Sequence, residues 1–363
     1  MCKNIALTAC TLLYKGSMQL QKFSFNALKD FLKQQKEPIF RYKQLQQALF
    51  REPYLTFHEL TTLPLSLREK LISAFGDNLL PLQLLRVQKG TQASKYLFAL
   101  QDGERIESVY MQFQEGLRSL CISTQVGCAC RCAFCATGKI GIQRNLTVEE
   151  ILAQVLYLSK TVTPVDRITL MGMGEALLNP HIFEAIHHFT ATDGFQLSPY
   201  KLSISTVGIV PGIRKLTQLY PQVTLTFSLH FPNQTLREQW MPMAQHDRLE
   251  DIFEALDERA KLTNRKIYLA YMVMEGINNR LQDLEALESI FEARGPLRHL
   301  YHVNLIPFHP ISHSKVQETH KSVVLRFQKQ LKQRRIVATI RQSFGKSIQA
   351  ACGQLSAEYP VHL

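Results

Sequence analysis

An α/β fold is predicted, arranged as a partial or closed βα barrel around a parallel sheet, with a small helical domain on its N-terminal side. Three observations carry this expectation. Strand-like and helix-like segments alternate from residue 147 to residue 341, residues 23–75 show helical periodicity alone, and 45% hydrophobic content over 363 residues suffices for a sizeable core.

Taken in order, Phe23, Leu28, Phe31 and Leu32, then Leu45, Ala48 and Leu49, recur at helical steps on either side of Pro38. Pro64 and Leu65-Ser66-Leu67-Arg68 open a further helix. Short strand-like runs at 97–100 and 106–113 lead to Cys121 and a cysteine-rich loop. Thr147-Val148-Glu149-Glu150 fits a capping box opening a helix over 151–160. Strands at 167–171, 201–205, 223–229, 266–274 and 302–306 then alternate with helices at 182–189, 212–219, 249–262 and 281–293. A basic helix at 316–335 precedes a last strand at 336–341. The expected division is an extension at 1–17, a basic helical RNA-binding domain at 18–84, the barrel with a preceding β extension at 85–346, and a C-terminal segment at 347–363. No internal repeat or low-complexity stretch is present.

The charge balance is +12, from 42 Lys and Arg against 30 Asp and Glu. Residues 18–50 hold six cations against Asp30 and Glu37, and residues 315–346 hold nine, Lys332, Arg334 and Arg335 among them, against Glu318. Two such segments at opposite ends of a chain favour a polyanionic partner held through phosphates, the plainer alternative being solvated helix faces. Four of the eight cysteines crowd one loop, unlike a secreted disulfide framework, so reduced thiols and a cytoplasmic setting are expected. No apolar run of about 18 residues is present, so no membrane span is expected. Leu7-Thr8-Ala9-Cys10 resembles a lipoprotein cleavage box, but too few residues precede Cys10 for a signal peptide.

Cys128, Cys132 and Cys135 stand at C-x3-C-x2-C spacing. Three thiolates on one loop can hold three irons of a 4Fe-4S cluster and leave the fourth open to chelate S-adenosylmethionine for radical chemistry. A structural zinc would need a fourth ligand in a closed tetrahedron. Only Cys130 is near, and C-x-C-x-C on a short loop converges poorly on one ion, so the spacing favours the cluster and leaves the role of Cys130 open. Gly172-Met173-Gly174-Glu175 follows a predicted strand. It lacks the third glycine of a phosphate-cradling loop, and Glu175 suits an ammonium better than a phosphate. Ser205, Ser228-Leu229-His230 and Asn304 fall at or near strand ends, where hydroxyl, imidazole and amide groups reach a barrel mouth, although a lone His230 is more often a satisfied core residue. Cys121 and Cys352 would each by itself read as an inert buried thiol.

The runs 121–128, 136–138, 144–147, 171–175, 228–230, 302–306 and 350–355, in order, resemble the radical S-adenosylmethionine methyltransferases of ribosomal RNA called RlmN and Cfr. The resemblance covers essentially everything from Met18 onward. It implies a radical SAM barrel whose cluster lies on Cys128, Cys132 and Cys135. S-adenosylmethionine, both methyl donor and radical source, would be held by Gly174, Glu175, Ser205, Ser228, Leu229, His230 and Asn304. It further implies that Cys352 is methylated, that a radical formed on its methyl group adds to adenine, and that Glu107 removes the ring proton. Cys121 then releases the product by forming a disulfide with Cys352. The implied substrate is one adenosine of 23S ribosomal RNA at the peptidyl transferase centre. The Cfr branch methylates carbon 8 and confers resistance to ribosome-targeting antibiotics, whereas the RlmN branch methylates carbon 2 and also acts on transfer RNA. An external electron donor such as flavodoxin, a monomeric state and no membrane partner are implied as well. Ala176, Leu300-Tyr301 and Arg341-Gln342-Ser343-Phe344-Gly345 look Cfr-like, whereas Val126, Lys139 and Pro307 look RlmN-like.

Overall fold

The structure, a computed structural model, describes residues 21–357 apart from residues 53, 163–164, 312–313, 315 and 343. The expectations for residues 1–17, Met18 and Ser343 lie outside the described residues. Three helices come first: α1 (Phe25–Gln34), α2 (Ile39–Arg51) and α3 (Leu65–Phe75). The Ser24 hydroxyl caps α1 by accepting from the Ala27 N–H at 3.0 Å. Pro38 and Pro64 stand immediately before α2 and α3, where a missing N–H costs nothing. The apolar side chains of these helices join a core continuous with that of the sheet.

A meander follows: β1 (Leu82–Lys89), β2 (Ala93–Leu100), β3 (Arg105–Gln112) and β4 (Arg118–Cys121), each antiparallel to the next. Sequence periodicity predicts parts of β2 and β3 only. In β1 the alternation is broken by an irregularity between Leu84 and Arg86, and β4 is too short to show a period. Beyond them, β5 (Gln125–Gly127) pairs with β6 (Ile142–Asn145) and closes a loop that contains the short helix α4 (Ala136–Ile140).

The βα alternation then runs through α5 (Val148–Thr161), β7 (Arg167–Leu170), α6 (Ile182–Thr190), β8 (Leu202–Thr206), α7 (Val210–Leu219), β9 (Thr224–Ser228) and α8 (Gln234–Trp240). It continues with α9 (Leu249–Thr263), β10 (Ile267–Val273), α10 (Leu281–Glu292), β11 (Tyr301–Pro307), α11 (Lys321–Gln333) and β12 (Ala338–Ile340). The capping box at Thr147 and Glu150 opens α5 as the sequence suggests. Helix α11 starts five residues later than its periodicity predicts. Thr319 is held to Val273 and Phe308 instead, and the His320 side chain accepts from the Ser322 N–H at the cap.

The ten-stranded sheet has the order β1-β2-β3-β4-β7-β8-β9-β10-β11-β12, parallel from β4 to β12. Among the described residues β1 and β12 are its two ends, so the barrel is partial rather than closed. The arc nevertheless curls round. Arg341, just past β12, reaches Met171, just past β7, with Nη1 and Nη2 both 3.8 Å from the sulfur. The Phe113 and Phe344 rings meet edge to face at 4.6 Å. The C-terminal ends of the parallel strands thus surround one mouth. Arg334 and Arg335 join α11 to the start of β12, which places this part of the second basic segment at the opposite rim. Tyr301, at the start of β11, lies on that far rim too and donates to Asp257 at 2.6 Å.

Candidate active site

The cysteine loop is folded tightly enough to dictate its glycines. A Cβ on Gly127, at φ 73°, would lie 1.7 Å from the Gly141 carbonyl oxygen, and one on Gly138 would lie 2.8 Å from the backbone of Cys132. The Cys128 N–H donates to Gly141 at 3.0 Å, and the Cys135 N–H to Cys132 at 3.1 Å. Cys128, Cys130, Cys132 and Cys135 all line a cavity of about 850 Å³ at the barrel mouth. Burial pushes the thiols of Cys132 and Cys135 up, whereas a hydrogen bond from Cys130 holds Cys128 down. That bond gives Cys130 a place as a buried neighbour of Cys128. Among the described residues no three His, Cys, Asp or Glu side chains gather as a single-ion site. A cubane spreads its thiolates over separate irons, so three thiols on one loop around a cavity of this size suit a cluster.

The turn after β7 forms the next wall. Cβ atoms on Gly172 and Gly174 would meet Ile122 O and the Gln125 Cβ at 2.6 Å, so only glycine allows this turn to pack on the chain entering β5. Glu175 is buried, with its Oε2 accepting from the Val207 N–H at 2.8 Å and its Oε1 from the Leu177 N–H at 3.2 Å. Burial pushes its carboxyl up to about 7. Ser205 and Ser228 meet at 3.0 Å between their hydroxyl oxygens and line the same cavity. His230 lines it as well, edge-on to Phe134 at 5.1 Å.

Two residues expected to contact the cofactor do not line the cavity. Leu229 does not reach the cavity wall: its side chain is fully buried in the main core, its N–H donates to Phe227 at 2.9 Å, and its carbonyl accepts from Arg237. Asn304 does not itself line the cavity, but it lies beside Ala270 on the strand register and on the same face of β11 as Ile306, both of which do, with its Oδ1 accepting from the Thr339 hydroxyl at 3.1 Å. Sequence reasoning also missed Arg237. It sits on α8, an element the periodicity does not reveal, and its buried guanidinium donates to the carbonyls of Val207, Ser228 and Leu229 behind the site. No sequence signal distinguishes it from a surface helix arginine.

A second cavity, of about 720 Å³, adjoins the first and shares Cys135, Met171, Gly172, Ile306, Arg341 and Cys352 with it. Cys121 ends β4, opposite Val109 in the register, and both line this space. Burial pushes the Cys121 thiol up to about 11, while Arg341 opposes that rise. Cys352 is exposed on the C-terminal segment. Glu107 is not brought to either cavity: it is fully buried, paired with Lys95 at 2.9 Å. Of the three features read as Cfr-like, Phe344 lines the second cavity, Ala176 is buried behind Glu175, and Tyr301 is on the far rim.

The chain is 43% identical to the ribosomal RNA large subunit methyltransferase Cfr of Bacillus velezensis over 341 residues, covering 93% of this chain and 98% of that one. It is 44% identical to the Cfr protein of Staphylococcus aureus over 340 residues, covering 93% and 97%. It belongs to the Cfr family of radical SAM methyltransferases. The Radical SAM superfamily model matches residues 122–287, which include the cysteine loop, the glycine turn and the strand ends through His230. A solved radical SAM methyltransferase from Sphaerobacter thermophilus is similar over 93% of this chain and 98% of that one, with a TM-score of 0.85 at 32% identity. No helix among the described residues is long and apolar enough to cross a membrane.

Proposed function

We propose that the protein methylates carbon 8 of an adenosine at the peptidyl transferase centre of 23S ribosomal RNA through an S-methylated Cys352, and so protects ribosomes from antibiotics that bind there. The observation that carries this reading is that Cys121 and Cys352, far apart in sequence, line one cavity continuous with that of the cysteine loop.

Cys128, Cys132 and Cys135 would hold a 4Fe-4S cluster, which with bound S-adenosylmethionine supplies a 5′-deoxyadenosyl radical. The buried Glu175 carboxylate offers an ammonium a partner in a water-poor site. Ser205 and Ser228 present hydroxyls for a ribose, and His230 presents a neutral ring. The Cys352 sulfur loses its proton and takes a methyl group from S-adenosylmethionine, which leaves as S-adenosylhomocysteine. One C–H bond of that methyl group would then break, its hydrogen atom going to the 5′-deoxyadenosyl radical, and the carbon would bond to carbon 8 of adenine, whose own C–H bond breaks with the proton going to a base and one electron passing to the oxidised cluster. The Cys121 sulfur attacks the Cys352 sulfur. An S–S bond forms, the C–S bond breaks with its electron pair going to the former methyl carbon, and that carbon takes a proton. Burial raises the Cys121 thiol to about 11, so Cys121 must give up its proton as it attacks Cys352. The adenosine is presented single-stranded or flipped out of its stack. Exposed Lys33 on α1, Lys36 in the turn that follows it and Lys43 on α2 support contact with RNA backbone. An outside one-electron donor such as flavodoxin is required.

The test is mass spectrometry of nucleosides from ribosomal RNA treated with reconstituted enzyme, compared with 8-methyl- and 2-methyladenosine standards. 8-Methyladenosine is expected. A product that is 2-methyladenosine alone overturns the regiochemistry and assigns the enzyme to housekeeping methylation.

A further inference from the structure

Lys95 and Glu107 form an ion pair at 2.9 Å, with side chains 3% and 0% exposed. They are diagonal neighbours on β2 and β3, since Leu97 faces Glu107 and Lys95 faces Val109 in the register. Removing two charges from water is expensive, so a pair buried this deeply needs further partners to offset the cost. Those partners lie on the C-terminal segment. Lys95 Nζ donates to the Gln349 carbonyl at 3.2 Å, and the Ser356 N–H donates to Glu107 Oε2 at 3.0 Å. Cys352 stands between these two points. The same stretch is tied to α4, directly after Cys135: the Ala136 N–H donates to Gly353 at 2.7 Å, and the Thr137 hydroxyl to Leu355 at 2.5 Å.

We propose that the buried Lys95–Glu107 pair clamps both feet of the Cys352 loop, so that Lys95 and Glu107 are positioning residues that set where the Cys352 sulfur sits. The carboxylate meets the backbone of the loop through the Ser356 N–H. The inference rests on the reading of Cys352 as the methyl carrier.

Two variants and two readouts test it on the full chain. Lys95→Met combined with Glu107→Leu removes both charges together and leaves neither buried alone. Glu107→Gln keeps the shape and one acceptor. Hydrogen–deuterium exchange reads the clamp without any cofactor: amides of residues 353–356 should exchange about tenfold faster in the double variant, while β7 to β10 keep their protection. In reconstituted holoenzyme, methylation of Cys352, followed in the C-terminal peptide by mass spectrometry, should slow about tenfold in the double variant and less in Glu107→Gln, as expected for a misplaced nucleophile. If the double variant does not fold, Glu107→Gln decides through the same two readouts. Were Glu107 only a base, with no hold on the loop, Glu107→Gln would load Cys352 at the wild-type rate and accumulate protein covalently attached to RNA. That outcome, or unchanged exchange over 353–356, overturns the clamp. Failure of the carrier reading is separate: Cys352→Ala would still methylate RNA, and the exchange result would be unaffected.

Discussion

The backbone N–H of Met272 donates to Nδ1 of His230 at 3.0 Å, joining β10 to the residue that follows the end of β9 by two. Because Nδ1 accepts, the ring proton sits on Nε2. Burial, with Arg237 behind it, pushes this histidine down to about 3. Its backbone is left-handed, at φ 51°. The imidazole is therefore a fixed neutral wall of the cavity and not a titrating acid or base.

A histidine that is neutral when folded and free to charge when unfolded makes stability fall with acid. Its pKa is 6.5 unfolded and about 3 folded, so between those values the unfolded chain binds the extra proton and stability decreases as pH drops. Asparagine tolerates the left-handed backbone and can accept from Met272, so His230→Asn is expected to fold, with a loss of about 1 kcal/mol at pH 7. Urea unfolding of the metal-free protein from pH 7 to pH 4 should show a shallower acid decline in the variant. Parallel curves would mean that His230 is not the group responsible.

Alanine at Cys128, Cys132 or Cys135 should abolish both cluster iron and formation of 5′-deoxyadenosine. Cys130→Ala should keep the cluster, since that thiol serves Cys128 as a hydrogen-bonding neighbour. Iron and sulfide content after anaerobic reconstitution distinguishes them. Loss of iron in Cys130→Ala equal to that in Cys132→Ala would make Cys130 a ligand.

The two remaining thiols should fail differently. Cys352→Ala is expected to remove all RNA methylation, because no carbon carrier remains. Cys121→Ala should leave the carbon bridge unresolved, visible as protein that migrates with RNA on a denaturing gel. Normal turnover in Cys121→Ala without that species would sink this division of labour.

The two basic segments can be altered independently, and this also makes a prediction. Charge reversal at Lys33, Lys36 and Lys43 should weaken RNA binding and flatten the plot of log affinity against log salt, by roughly one unit for each phosphate no longer neutralised. The same change at Lys332 and Arg335, near the start of β12, should leave the slope as it was. Binding curves at four or five salt concentrations suffice. The reverse pattern would move the RNA surface to α11 and the far rim.

What the sequence determined by itself is local. Cys128, Cys132 and Cys135 are neighbours in any fold, so their spacing alone announces a cluster loop. Gly172 to Glu175 follows a strand that its own residues encode, and the order of strands and helices follows from side-chain period. The short or irregular pieces, β1, β4 and α8, were hidden because four to eight residues with a bulge or a half-buried face leave no clear period. Only the tertiary structure decided how the arc curls, because curvature comes from packing summed over ten strands and is written in no single one of them. That curl brings Arg341 to Met171 and makes one cavity border both Cys121 and Cys352. It turns Leu229 into the core and sends Tyr301 and Arg335 to the far rim. It also buries Glu107 against Lys95 beneath the Cys352 loop. A motif can show that Glu107 belongs to the chemistry's neighbourhood, but which atoms its carboxylate meets is set by residues distant in sequence.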